Sequence, residues 1–126
     1  HPEFGVYDYP AIVEAFEQAG FTVISEIRPA DTDGREYAKH VAAQVDSLIA
    51  TGVPATDISV VGMSKGGGIA LATSVQLANP DVNFVMTGTC YGQPRDLPPV
   101  ILRGRVLMIH ELSDPVTAPC TGQEVC

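Results

Sequence analysis

Apolar residues along the chain alternate between two spacings, and Gly, Pro and Asp mark where one spacing gives way to the other. Asp8 and Pro10 open a helix whose apolar stripe is Ile12, Val13 and Phe16, and Gly20 stands where a left-handed residue ends it. The β-branched run FTVISEI predicts a strand over 21–27, closed by Pro29. Asp31, Thr32 and Asp33 make a polar turn that caps a second helix over about 35–50. Its stripe is Tyr37, Val41, Val45, Leu48 and Ile49, and Gly52 and Pro54 stop it. Residues 58–63 form a short buried strand. An Ala/Leu/Ile pattern at helical spacing follows it, up to Asn79-Pro80. Two further apolar runs, 82–87 (VNFVMT) and 105–110 (RVLMIH), predict strands on either side of an irregular proline-containing loop over 90–99. The tail, 111–126, has no periodicity.

Strands that are apolar on both faces and alternate with helices call for an α/β domain. The expectation is one domain over 1–126, a parallel sheet of about four strands with helices on both faces. Such a sheet brings the C-terminal ends of its strands, and with them Ser64 and Asp114, to one rim.

Composition sharpens this picture. With 126 residues, 45% hydrophobic and 17% charged, the chain can bury a core. A net charge of −8 argues against nucleic acid and anionic membranes as partners, and no apolar run approaches the length of a membrane span. The sequence begins at His1 without a methionine, so a removed export signal and a fragment both stay open. Cys90, Cys120 and Cys126 fit neither a disulfide scaffold nor a C-x-x-C zinc site, and no metal or organic cofactor is expected.

The candidate chemistry lies where the 58–63 strand meets its helix. Gly62-Met63-Ser64-Lys65-Gly66 is a G-x-S-x-G pattern, the nucleophile-elbow signature, in its required strand-to-helix context. A serine on so sharp a turn leaves no room for a Cβ two residues before or after it, because strand and helix approach there. The plainer reading is a glycine-rich turn with an incidental serine. A phosphate loop fits less well, since Lys65 precedes the glycine cluster instead of ending it.

These residues resemble an α/β-hydrolase along nearly the whole chain, and HPEFGVYDY, SEIRP and VVGMSKGG look like bacterial members of undefined substrate. The resemblance implies that the strands at 21, 58, 82 and 105 correspond to the family's fourth to seventh. Ser64 then falls on the nucleophile, and Asp114, in Ser113-Asp114-Pro115-Val116, falls on the acid. The backbone N–H of Lys65 is the implied first oxyanion donor, with a second from the region ending at residues 1–6. The family's first strands and eighth strand have no counterpart here, so the resemblance places the catalytic histidine beyond Cys126.

Each role has a competitor. Asp114 precedes Pro115 and also suits a turn, while Asp96 and Glu111 are alternative acids. His1 lies in a loop, His40 on a helix, and His110 at a strand end two strands from Ser64, where a structural role suits it better than that of base. Lys65 can attract an acidic substrate or simply be solvated. Cys90 and Cys120 fall near one rim, which suits either a disulfide in an exported enzyme or free thiols in a cytoplasmic one. The expected activity is cleavage of an ester or related acyl bond in a small-molecule substrate, through an acyl-enzyme on Ser64. Two other classes stay open: a catalytically silent scaffold that binds a ligand or partner, and a doubly wound nucleotide-binding domain.

Overall fold

The computed structural model describes residues 5–89, 101–115 and 117. Its contacts fall into two units, His1–Thr32 and Asp33–Cys126, each considered by itself.

In the first unit, α1 (Tyr9–Gln18) starts at Asp8, whose carboxylate accepts from the Ala11 N–H at 3.1 Å, and Pro10 occupies its first turn. Gly20 ends it at φ +93. There the Gly20 N–H donates to the Glu17 carbonyl at 2.9 Å and the Phe21 N–H to the Phe16 carbonyl at 3.1 Å. Those two bonds make a Schellman cap, and the Phe16 and Phe21 rings close it edge to face with centroids 5.9 Å apart.

The strand expected over 21–27 does not form: among the described residues the segment joins no ladder of the sheet. Its β-branched run suits a pleated, half-buried surface, and such a preference acts only where a neighbouring strand completes the ladder. Here Phe21 serves the helix end, and Ile24 and Ile27 are exposed.

The second unit opens with α2 (Gly34–Ala50), one residue earlier than the pattern suggests. The Asp33 carboxylate accepts from the N–H groups of Arg35 (2.8 Å) and Glu36 (3.0 Å). The Glu36 bond first, then the Arg35 bond, holds the Asp33 pKa below the usual aspartate value. The helix ends in a second Schellman cap around Gly52 (φ +98), and the residues it joins, Leu48 and Val53, both pack on the core.

After a one-turn 3₁₀ helix (Ala55–Asp57) come β1 (Ser59–Met63), α3 (Lys65–Leu77), β2 (Asn83–Thr87) and β3 (Arg105–Ile109). The strands lie parallel in the order β1-β2-β3, with Val61, Val85 and Leu107 in one row and Met63, Thr87 and Ile109 in the next. The described sheet therefore has three strands, not about four. Its ladders are an α/β arrangement with all strand C-termini at one edge.

Val45 of α2, Ala70 of α3, and Val82, Phe84 and Met86 around β2 form the buried core together with Ile58. Both helices of this unit thus cover the sheet face that carries Phe84 and Met86. The opposite face leaves Val61, Met63, Leu107 and Ile109 about half exposed, so among the described residues of this unit the expected cover on both faces is absent. The pattern explains the difference: β1 and β3 carry apolar residues at odd and even positions alike, which cannot say which face has a partner.

α3 stops at Leu77 because Ala78 turns left-handed (φ +50), just before Asn79-Pro80. Its buried Ser74 reaches across to the chain entering β3, where Oγ donates to the Arg103 carbonyl at 2.6 Å and accepts from the Arg103 N–H at 2.9 Å. Among the described residues, no helix is long and apolar enough to cross a membrane.

Candidate functional site

β1 and α3 are separated by one residue, Ser64, at φ +52 and ψ −119. A side chain in this left-handed region is strained by about 1–3 kcal/mol, and its neighbours must hold it there. Two backbone bonds do so. The Ser64 N–H donates to the Thr87 carbonyl at the end of β2 (2.9 Å), and the Ser64 carbonyl accepts from the Gly68 N–H (3.0 Å), the first rung of α3. Ser64 is exposed, and its hydroxyl makes no capping bond to the helix it precedes, unlike most serines at that position.

The glycines around it differ in what they do. A Cβ on Gly62 would lie 2.2 Å from the Gly66 carbonyl oxygen, so strand and helix meet there backbone to backbone. A Cβ on Gly67 would lie 1.7 Å from the Thr89 hydroxyl oxygen, a contact between segments 22 positions apart that no local pattern signals. Gly68 faces open space. Gly68→Ala should therefore stabilise the protein by about 0.5–1 kcal/mol, the ordinary gain from alanine in a helix. A raised urea midpoint checks it, and a lowered one would show Gly68 to be packed.

Because the helical ladder starts at Gly68, the N–H groups of Lys65, Gly66 and Gly67 lie ahead of it and have no acceptor within α3. They stand beside Ser64 at the positive end of the helix dipole, where a developing oxyanion is favoured. The Lys65 side chain is exposed, as a solvated ammonium requires.

Asp114 follows β3 on the same rim. The register of Met63, Thr87 and Ile109 puts the ends of β1 and β3 two strand spacings apart, about 10 Å. The Asp114 carboxylate is half-buried and caps a turn. One oxygen accepts from the Thr117 N–H at 3.2 Å and the other from the Thr117 hydroxyl. Glu111 is exposed and accepts from the N–H and hydroxyl of Ser113.

The two described histidines, His40 and His110, are elsewhere. Ala38 lies opposite Thr73, roughly 13 Å along α3 from Ser64, and His40 is beyond it on α2 with its ring 5.4 Å from Tyr37. His110 directly follows β3, two strands from the elbow. His1, Asp96, Cys90, Cys120 and Cys126 lie outside the described residues, as do the whole loop over 90–99 and most of the tail beyond 115. Among the described residues, no three His, Cys, Asp or Glu side chains gather as metal ligands.

Compared with models of protein families, with curated proteins and with solved structures, the chain matches none.

Proposed function

We propose that the protein is a serine hydrolase of the α/β-hydrolase type, cleaving an ester or related acyl bond through an acyl-enzyme on Ser64. One observation carries this reading. An exposed serine is held in a strained left-handed conformation between a parallel strand and a helix, with Gly62 packed on the Gly66 backbone beneath it. Strain of this kind at a surface serine has no packing benefit of its own.

In the proposed reaction, Ser64 Oγ bonds to the substrate's carbonyl carbon as a general base takes the hydroxyl proton, and the carbonyl oxygen becomes an oxyanion. The Lys65 N–H donates to that oxyanion. Collapse of the intermediate expels the alcohol, which takes the proton back, and water then releases the acid by the same steps in reverse order of groups. Asp114 orients the base and offsets its charge. The resemblance implies an imidazole as the base, and neither His40 nor His110 is assigned to it.

The positions of His40 and His110 also favour a second reading, a scaffold of the same fold that binds without catalysis. A fluorophosphonate probe separates the two, since it loses fluoride and forms a serine–phosphorus bond only at an activated hydroxyl. The expected result is one label per chain, mapped to Ser64 and absent in Ser64→Ala. Folded wild-type protein that stays unlabelled supports the silent scaffold and overturns the hydrolase.

A further inference from the structure

The end of β2 supplies the acceptor that holds Ser64, and Thr89 shares it. Thr89 is buried, and its hydroxyl donates to the Thr87 carbonyl at 3.0 Å, the same oxygen that takes the Ser64 N–H at 2.9 Å. Gly88 between them is left-handed (φ +58), which folds the chain back so that residues 87 and 89 can meet in this way. The Thr89 hydroxyl oxygen also occupies the place where a side chain on Gly67 would begin. One threonine side chain therefore touches both supports of the elbow: the carbonyl that tethers the serine, and the first turn of the helix, whose leading amides have no acceptor within α3.

We infer that Thr89 is a positioning residue for Ser64, and that its hydroxyl sets the spacing between the end of β2 and the first turn of α3. This rests on the hydrolase reading for its catalytic meaning, though not for its geometry. By donating to the Thr87 carbonyl, the hydroxyl fixes the direction of that oxygen. By filling the space above Gly67, it keeps the Lys65–Gly67 amides from sliding towards β2. Removing it frees the carbonyl to rotate and leaves a gap into which the helix turn can relax. Ser64 then leaves its strained conformation as the Thr87 carbonyl turns away from its N–H.

Two variants and two readouts test this. Thr89→Ser keeps the hydroxyl and loses a methyl, whereas Thr89→Ala loses both. Amide hydrogen exchange at Ser64 and Gly68 reads the elbow directly, whether or not the protein is active. Both amides should exchange about tenfold faster in Thr89→Ala and at the wild-type rate in Thr89→Ser, with Ala42 and Val45 in α2 unchanged in all three. The second readout is fluorophosphonate labelling. Thr89→Ala should lower the maximal rate by about tenfold or more at unchanged half-saturation, and Thr89→Ser should stay within about threefold of wild type. Equal exchange in Thr89→Ala and wild type, or equal loss in Thr89→Ser and Thr89→Ala, overturns the inference. If wild-type protein takes no label while exchange follows the expected pattern, the hydrolase reading fails and the positioning role stands.

Discussion

Gly62→Ala should lower the maximal rate of labelling at Ser64 by more than about a hundredfold and destabilise the protein by about 3 kcal/mol or more. The new methyl would sit 2.2 Å from the Gly66 oxygen and 2.4 Å from its carbon. These are backbone atoms, so no rotamer change relieves the overlap. β1 must retreat, or the first turn of α3 must open. Either movement breaks the Ser64-to-Thr87 or Gly68-to-Ser64 bond and takes the amides away from the serine. A urea titration monitored by circular dichroism gives the stability, and labelling below the unfolding transition gives the activity. Wild-type labelling in a folded Gly62→Ala protein is the outcome that sinks the account of the elbow. The contrast with Gly68→Ala, six positions on, makes the test stringent: the same substitution should be harmful at one glycine and helpful at the other.

Phe84→Ala should cost about 3–5 kcal/mol, read from the same titration. Phe84 is fully buried on β2, the middle strand of the sheet, and it packs with Val45, Ala70, Val82 and Met86. Deleting its ring removes the largest side chain of the described core and leaves a cavity that the paired strands on both sides prevent from collapsing. Gly104 lies against the edge of that ring. It has φ +93, and a Cβ there would be 2.7 Å from a ring carbon and 2.5 Å from the Val82 carbonyl oxygen. Gly104→Ala should thus be costly alone. In the Phe84→Ala background it should cost less but not nothing, because the carbonyl and the left-handed backbone remain. Full additivity of the two would mean that ring and glycine do not touch.

The parts of the fold that the sequence makes legible are those set by neighbours in the chain. Asp8, Asp33, Gly20 and Gly52 mark helix ends because capping is a transaction among residues two to five positions apart. The strand–turn–helix around Ser64 is legible for the same reason, as its steric demand falls on Gly62, against the Gly66 backbone four positions on. What stays hidden depends on distant partners. The run over 21–27 has a strand's composition without a strand's neighbour. The exposed face at Val61 and Leu107 looks as apolar as the face packed around Phe84. The Gly67–Thr89 contact joins residues from different elements, and nothing local to either announces it. Asp114 is intermediate. Its place after β3 follows from the apolar run before it, but its two bonds to Thr117 do not follow from the Asp-Pro pair.

The latch between Ser74 and Arg103 has a mechanical consequence. One hydroxyl both gives and takes a bond with the same peptide segment, so the rear half of the helix behind Ser64 is clamped to the lead-in of the strand that delivers Asp114. Serine and carboxylate consequently ride on a common chassis. A breathing motion that lets the third strand peel away must drag the helix with it, so these two groups lose their alignment together or keep it together.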